Sequence, residues 1–116
     1  MGDDNCLFCK IRDGKIPSAI TYRDENVFAF KDIGPKAPLH ELVVPTRHVA
    51  TLADAAPEDA EMYGRMMVVA AKRAKESGQA GEGFRVVMNA GAAAGQSVLH
   101  VHLHLLAGRA LAWPPG

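Results

Sequence analysis

The feature that most constrains this chain is the stretch HVHLHLL, His100 to Leu106, which places three of the five histidines at alternate positions. In an extended strand successive side chains point to opposite faces, so His100, His102 and His104 are predicted to share one face while apolar residues occupy the other. Such a strand buries its apolar face against a core and presents three imidazoles on the opposite face. The sequence therefore predicts a β-containing fold whose functional chemistry lies on this strand.

Length, charge and hydropathy exclude several classes of function. The 116 residues suit one domain, over residues 1–116, that buries a core without disulfides. Thirteen basic residues balance thirteen acidic ones with no block of like charge, which argues against nucleic acid or a membrane surface as partner. No apolar run approaches the roughly 20 residues of a membrane span, and the charged start MGDDN differs from a signal peptide. We therefore expect a cytoplasmic protein whose partner is a small molecule or another protein.

The residue pattern predicts an α+β fold with an antiparallel sheet. CLFCKIRDG fits a short helix, and the segment from Pro57 to Ser77 fits a long helix with acidic residues first and basic residues last. Five β-rich segments remain, namely AITYRD, NVFAFKD, HELVVPT, FRVVMN and VLHVHLHLLAG. Because strands and helices do not alternate, the five strands are expected to pair antiparallel. The apolar surface of the long helix is broad enough to contact a partner as well as the core, with packing on its own sheet as the favoured interpretation.

Three imidazoles on one face are suited to two kinds of chemistry. A His-x-His pair can bind one metal ion, but about 13 Å of strand separates His100 from His104, so one ion cannot readily take all three rings. Imidazole also serves as a nucleophile or as a general acid or base, because its pKa of about 6.5 lies near neutrality. Histidines satisfied inside a core are the remaining alternative, but each of the three then needs a buried partner.

The loop before the histidines has the composition of an anion-binding loop. NAGAAAGQS supplies Asn89, Gly95, Gln96 and Ser97, which offer backbone N–H groups together with amide and hydroxyl donors. The segment matches neither a Walker nor a Rossmann fingerprint, so on its own it is equally a flexible connection. Beside three histidines it predicts a phosphate-binding loop.

The stretch QSVLHVHLHLLAG resembles the signature of the histidine triad superfamily, in which three histidines alternate with apolar residues. FCKI, FAFKDIGPKAPLHELVVPTRH, RVVMNAG and the closing WPPG are similar to the nucleotide-binding branch of that family, so the resemblance covers essentially the whole chain. The WPPG ending is similar to the purine nucleoside phosphoramidase branch rather than to the dinucleoside polyphosphate hydrolases. The resemblance implies the fold of this family as a homodimer, in which two five-stranded sheets join into one ten-stranded sheet.

The resemblance also implies a reaction. The substrates would be nucleoside 5′-phosphoramidates or acyl-nucleotides of purines, with AMP or GMP as the bound nucleotide. His102 would attack the α-phosphorus to form a nucleotidyl-histidine that water hydrolyses, with no cofactor required for catalysis. His104 and Ser97 would lie near the leaving group, and His100 would complete the catalytic set. Three alternatives stay open: a non-catalytic nucleotide-binding or scaffold protein, a dinucleoside polyphosphate hydrolase, and metal-dependent hydrolysis.

Further site residues follow from the resemblance, position by position. Asp32 would accept the ribose hydroxyls, and a turn-forming residue before IGP is the alternative from the sequence alone. His40 is expected to support the site without contacting the substrate. The positions implied to contact the phosphate are Asn89, Gly95, Ser97 and His104, and Gln96 and His102 are the further predicted nucleotide-binding positions. The positions implied to form the apolar wall of the base pocket are Leu7, Phe8, Ile11, Phe30 and Ile33.

Cys6 and Cys9 form a Cys-x-x-Cys pair with three interpretations. A redox pair normally follows a strand, and no strand is predicted before Cys6. Two free reduced thiols are the second interpretation. The third comes from the resemblance, because CLFCK and PTRH are similar to bacterial-type members with a structural zinc, which implies Cys6, Cys9, His48 and His100 as ligands. With zinc at these four positions, His102 and His104 remain free for chemistry.

Overall fold

A computed structural model describes residues 5–116 as a five-stranded antiparallel sheet with two α-helices. The elements in chain order are α1 (Leu7–Arg12), β1 (Ile20–Arg23), β2 (Val27–Lys31), β3 (Leu39–Pro45), α2 (Ala60–Glu76), β4 (Phe84–Val87) and β5 (Leu103–Ala107). The spatial order of the strands is β1-β2-β3-β5-β4, and every neighbouring pair is antiparallel. The predicted α+β class and five-stranded sheet are confirmed. Residues 1–4, part of the charged start that argued against a signal peptide, lie outside the described residues.

The sheet has an apolar core on each face, because β2 and β3 carry apolar side chains at consecutive positions that alternate between the faces. The core beneath α1 consists of Cys6, Phe8, Cys9, Ile11, Phe28, Phe30, Leu42 and Val44. The core beneath α2 consists of Val27, Ala29, Val43, Met66, Val69, Ala70 and Leu103. The candidate site residues lie on the α1 face, so α2 stabilises the sheet from behind without entering the site.

The long helix begins later than predicted. Pro57–Asp59 forms a short 3-10 helix, and the α-helix runs over Ala60–Glu76. Proline suits this first turn because it lacks the backbone N–H that an interior helical position must donate. The predicted broad apolar surface is divided, because Met67 and Val68 are 51% and 68% exposed while other apolar residues face the sheet. Within residues 5–116, no helix is both long and apolar enough to cross a membrane.

A buried ion pair connects α2 to the sheet. Glu41 of β3 is 1% exposed, and its two carboxylate oxygens accept from Nε and Nη2 of Arg73 at 2.9 and 2.8 Å. The hydroxyl of Thr21 donates to the same carboxylate at 2.9 Å. A buried carboxylate needs such partners to offset its loss of hydration. The pair therefore fixes the position of α2 on β3, and no sequence pattern predicted it.

The strand that carries the histidines is shorter than predicted. The prediction of a strand over VLHVHLHLLAG is wrong in its first half, because β5 begins at Leu103 and only His104 of the three histidines lies in it. The reason is that the preceding backbone bonds elsewhere, with the N–H of Val101 donating to the carbonyl of Val49 at 2.7 Å. The rings of His102 and His104 nevertheless lie 5.1 Å apart between centroids.

Candidate active site and metal centre

A pocket of about 260 Å³ opens on the α1 face of the sheet. Much of its wall is apolar, and its polar side chains include Asp32, Ser97, His102 and His104. All five apolar residues that the resemblance implied for the base pocket line it, namely Leu7, Phe8, Ile11, Phe30 and Ile33. Small-molecule sites combine an apolar wall with a few placed polar groups in this way. The pocket therefore has the chemistry of a site for an apolar ring attached to a polar or charged group.

Sequence reasoning missed several wall residues of this pocket. They are Ile16, Pro17, Ser18, Leu42 and Val98. Leu42 belongs to a strand whose alternation could have indicated it, since it shares a face with Val44. The other four lie outside the helices and strands, where no periodicity indicates which way a side chain points.

His102 is the most buried imidazole of the pocket, with 4% of the residue exposed. Its Nδ1 lies 2.8 Å from the carbonyl oxygen of His100, and because a carbonyl only accepts, Nδ1 carries the hydrogen. Burial lowers the pKa of His102 below its ordinary value, although the bond to the carbonyl acts in the opposite direction. The ring is therefore neutral at neutral pH and has an unprotonated Nε2, which is the nucleophilic form of imidazole.

The histidine–aspartate cluster, which consists of Asp32, His40 and His104, lies beside His102. The backbone N–H of Lys36 donates to Nδ1 of His40 at 3.0 Å, so a neutral His40 carries its hydrogen on Nε2. That Nε2 lies 2.9 Å from Nδ1 of His104 and 3.5 Å from a carboxylate oxygen of Asp32. His40 therefore donates to Nδ1 of His104, and the single hydrogen of a neutral His104 must lie on its Nε2.

Burial keeps both rings of this cluster neutral. It lowers the pKa of His40, with Asp32 acting in the opposite direction. It lowers the pKa of His104 to about 4, and the neighbouring His102 and His40 add to the effect. Neutral rings each carry one hydrogen, so the hydrogen assignment from Lys36 through His40 to His104 holds at neutral pH. His102 and His104 thus present opposite functions on Nε2, since the first has a lone pair there and the second has a hydrogen.

Asp32 forms a turn and also lines the pocket. One carboxylate oxygen accepts from the backbone N–H of Gly34 at 2.7 Å, which is the bond that forms an Asx turn. The same half-buried side chain lines the pocket. The turn therefore holds the carboxylate in place while its second oxygen remains directed toward His40.

The glycine-rich loop is held in place by Gln96. Its side-chain oxygen accepts from the N–H of Gly91 at 2.9 Å, and its amide nitrogen donates to the carbonyls of Ala50 at 2.7 Å and Val98 at 3.1 Å. These bonds occupy the amide of Gln96, which is not among the residues that line the pocket. The structure therefore gives Gln96 the function of shaping the loop.

Three other residues of this loop were predicted to contact a phosphate. Gly95 has φ 96° and ψ 16°, a left-handed conformation that glycine adopts without strain. A Cβ at this position would lie 3.8 Å from the amide nitrogen of Asn89, so the two residues are neighbours. Neither lines the pocket, whereas Ser97 does and is exposed. The structure therefore brings Ser97 into the pocket with the histidines, and phosphate contact by Asn89 and Gly95 stays a prediction.

The cysteine–histidine cluster consists of Cys6, Cys9, His48 and His100, with one ligand atom of each within 4.8 Å of the others. Nε2 of His100 donates to the carbonyl of Pro45 at 2.8 Å, which leaves the lone pair of Nδ1 free. That Nδ1 lies 3.2 Å from Sγ of Cys6, 3.5 Å from Sγ of Cys9 and 3.1 Å from Nδ1 of His48. The two thiols are not joined by a disulfide.

The donor atoms of this cluster fit a tetrahedral zinc ion. Two thiolates and two imidazoles form a common structural zinc site, and a ligating histidine usually donates its other nitrogen to a carbonyl, as His100 does. Burial lowers the pKa of His100 to about 4, so its Nδ1 is unprotonated at neutral pH. Burial also raises the pKa of the Cys6 thiol, and a cation in the cluster would favour its thiolate. The residues therefore suit zinc in both geometry and chemistry.

These observations define a class of protein, a small α+β domain in which neutral histidines lie side by side in a pocket beneath a short helix. A family model described as the HIT domain matches residues 13–111. The chain belongs to the HIT domain family. The resemblance to the histidine triad family, inferred from the sequence, is confirmed at the level of the family.

Similar proteins cover nearly the whole chain. An uncharacterized HIT-like protein of Synechocystis sp. is 43% identical over 113 residues, which is 97% of this chain and 98% of that protein. The crystal structure of a HIT family hydrolase from Legionella pneumophila has a TM-score of 0.95 at 46% identity, over 97% of this chain and 100% of that one. A histidine triad protein from Clostridium difficile has a TM-score of 0.93 at 45% identity, with 97% of each chain covered. These similarities support a hydrolase.

Proposed function

We propose that this protein hydrolyses purine nucleoside 5′-phosphoramidates or acyl-nucleotides through a nucleotidyl-histidine on His102. The observation that carries the proposal is the hydrogen bond from Nδ1 of His102 to the carbonyl of His100, at 2.8 Å. This bond orients the ring and leaves the lone pair on Nε2 within a pocket of suitable chemistry. A solvent-exposed histidine lacks both the fixed hydrogen and the fixed orientation.

The pocket supports a nucleotide with its base on the apolar wall and its phosphate beside the histidines. Phe8 lies at the junction, because its ring packs edge-on against His102 at 5.0 Å and against Phe30 at 5.5 Å between centroids. In this arrangement the carboxylate of Asp32 accepts the ribose hydroxyls and the hydroxyl of Ser97 donates to the phosphate or the leaving group. The apolar wall favours a purine because a larger ring buries more apolar area.

The reaction proceeds in two displacements at phosphorus. In the first, the lone pair of His102 Nε2 forms a bond to the α-phosphorus, the bond from phosphorus to the amine nitrogen breaks, and the departing amine takes a proton from solvent. In the second, water attacks phosphorus, the bond to Nε2 breaks, and the proton lost by the water returns to solvent. One water is consumed, and His102 returns to its starting form. Division into two steps lowers each barrier.

Zinc in the cysteine–histidine cluster would act as a structural cross-link in this proposal. Cys6, Cys9, His48 and His100 would hold it, and with four protein ligands the ion has no open position for substrate. Zinc would stabilise the segment that supplies the His100 carbonyl to His102. Metal-dependent hydrolysis makes a different prediction, namely that turnover stops when metal is removed from a folded protein.

We further infer that two copies pair through β4. This strand lies at one edge of the sheet, and an uncovered edge with apolar side chains beside it favours association. Phe84 of β4 is 38% exposed, and Trp113, which lies over Arg85 of the same strand, is 81% exposed. Antiparallel pairing of two such edges would form a ten-stranded sheet. Sedimentation equilibrium is expected to give twice the chain mass, and a monomer would contradict the inference.

The decisive experiment uses an adenosine 5′-phosphoramidate that carries a fluorescent amine. Native protein is expected to release the amine, and His102→Ala is expected to lose about 10⁴-fold or more in kcat, as loss of a catalytic nucleophile does. Mass spectrometry of the quenched native reaction is expected to show AMP attached to His102. Turnover should persist with a zinc chelator while the fold is intact. No turnover by the native protein would overturn the proposal and leave a nucleotide-binding protein.

A further inference from the structure

The segment that follows β5 is attached to the turn that precedes β3. Nε and Nη2 of Arg109 donate to the carbonyl of Lys36 at 3.0 and 2.9 Å. Gly108 lies against Pro38 so closely that a Cβ at position 108 would approach the proline ring within 2.8 Å. Gly108 also has φ 95°, so both its backbone and its surroundings require glycine. The Lys36 backbone is therefore held at its carbonyl by the segment that follows β5.

The same residue, Lys36, faces the histidine–aspartate cluster from its other side. Its N–H donates to Nδ1 of His40, and Nε2 of His40 lies 2.9 Å from Nδ1 of His104. His104 lies in β5, and Arg109 lies two residues beyond the end of the same strand. The contacts that join Arg109, Lys36, His40 and His104 therefore form a closed ring. A displacement of the Lys36 backbone would remove the N–H donor that requires His40 to keep its hydrogen on Nε2.

We propose that Arg109 is a positioning residue, which by holding the Lys36 backbone at its carbonyl keeps His104 as a neutral donor with its hydrogen on Nε2. A protonated His104 would direct a second hydrogen from Nδ1 against the hydrogen on Nε2 of His40, so the arrangement disfavours the imidazolium form. The charged groups near His104 are the carboxylate of Asp32 and the ammonium of Lys36, which act in opposite directions on its charge. The neutral His102 lies on its other side.

The inference rests on the proposed function and assigns a specific form of catalysis to it. A neutral imidazole N–H can stabilise negative charge that develops on a phosphoryl oxygen without giving up its proton. His104 would then be the donor to the transition state, and the proton gained by the leaving amine would come from solvent, as the two displacements require. Arg109 touches neither substrate nor reacting atoms and acts only through Lys36 and His40.

The test compares Arg109→Gln with Arg65→Gln. Arg65 is an equally charged control on α2, on the opposite face of the sheet, where it pairs with Asp24. Nitrogen-15 NMR of the imidazoles is expected to show native His104 with Nε2 protonated and Nδ1 unprotonated, and a mixture of both forms in Arg109→Gln. With the fluorescent phosphoramidate, kcat is expected to fall about tenfold in Arg109→Gln while KM changes less than twofold, because the donor is misplaced and binding is not. Arg65→Gln should match the native protein in both measurements.

A second variant guards against a simple loss of fold. Arg109→Lys retains the charge but offers one ammonium in place of two aligned N–H donors, so its mixture of tautomers and its kcat should lie between those of native and Arg109→Gln. Unchanged nitrogen-15 signals of His104 in folded Arg109→Gln would overturn the inference even if kcat fell. The NMR measurement needs no turnover, so failure of the proposed hydrolysis and failure of the positioning function are separately visible.

Discussion

The cysteine–histidine cluster and the histidine–aspartate cluster take histidines from the same segment, four residues apart, and both bring ligand atoms within 4.8 Å of one another. On distance alone either cluster could hold a metal ion. They differ in the partner of the nitrogen that faces away from the cluster. In His100 that nitrogen donates to the carbonyl of Pro45, whereas in His40 it accepts from the N–H of Lys36.

This difference decides what each cluster can bind. A carbonyl partner takes the hydrogen of a neutral imidazole and leaves a lone pair directed inward, which is what a metal requires. An N–H partner occupies the outer lone pair and places the hydrogen inward, so His40 could ligate a metal only as an imidazolate. The first cluster is therefore suited to zinc and the second to hydrogen-bond donation. The lesson is that proximity of ligand atoms does not establish a metal site until the outer hydrogen bonds are known.

The largest expected effect comes from breaking the cysteine–histidine cluster. Cys9→Ser is expected to lose bound zinc and to lower the free energy of unfolding by about 3–4 kcal/mol, the stabilisation given by a ligand at 100 to 1,000 times its Kd. Metal analysis and urea unfolding measure the two quantities. His40→Gln serves as the control and should retain one zinc per chain. If the native protein bound no zinc when zinc was supplied, the proposed difference between the two clusters would be contradicted.

A smaller effect is expected from the carboxylate of the histidine–aspartate cluster. Asp32→Asn keeps the side-chain acceptor for the Gly34 turn but loses the charge that would accept ribose hydroxyls. Loss of a hydrogen bond to a charged group costs about 2 kcal/mol, so KM for the phosphoramidate should rise roughly 30-fold. Zinc content should not change. An unaltered KM, measured from steady-state rates, would show that Asp32 serves the turn alone.

The acid stability of the protein tests the neutral state of His104. Its pKa is lowered to about 4, while the unfolded chain protonates near 6.5, so unfolding binds a proton within that window. Stability is therefore lost as the pH falls from 6.5 toward 4, and His104 contributes at most about 1.4 kcal/mol per pH unit. Urea unfolding of His104→Gln should show a shallower decline over this range than the native protein. Equal slopes would mean that His104 is already charged in the folded state.

The smallest expected effect comes from a single hydrogen bond. An α-hydroxy acid in place of Lys36 replaces the backbone N–H by an ester oxygen and removes the donor to His40, at a cost of about 1 kcal/mol in stability. His40 can then protonate Nδ1 and direct a lone pair toward His104 and Asp32. Titration with Co²⁺ is expected to show one equivalent bound by the native protein and a second by the ester variant. Two equivalents in the native protein would contradict the assignment of the outer hydrogen bonds.

Much of the fold was predictable because its signals are local. Short β-rich runs indicated β2 and β3, alternation indicated the apolar side of β5, and the charge gradient with Pro57 indicated α2 within three residues of its observed start. The start of β5 was not predictable in this way, because Val101 leaves the sheet to bond with Val49, a residue distant in the chain. In the sequence, Glu41 is an ordinary polar residue of a strand. Its ion pair with Arg73 is evident only in the folded structure.

The candidate site was likewise predictable only in part. The residue types of HVHLHLL and CLFCK, together with the family resemblance, predicted which side chains have the chemistry for a nucleophile, a donor and a metal ligand. The resemblance also predicted that His40 supports the site, although not which of its nitrogens carries the hydrogen. Gln96 shows the limit, because its side-chain amide was predicted to offer a donor to an anion and instead bonds to the backbone of Gly91 and of the distant Ala50.

What the sequence by itself determined was the class of fold, the HIT domain family and a set of candidate residues for the chemistry, because periodicity and residue type are properties of neighbouring positions. Only the tertiary structure decided which nitrogen of each histidine carries the hydrogen. That property depends on partners such as the Pro45 carbonyl for His100 and the Lys36 N–H for His40. His40 and His104 are 64 positions apart, and their hydrogen bond exists only because β3 and β5 pair side by side.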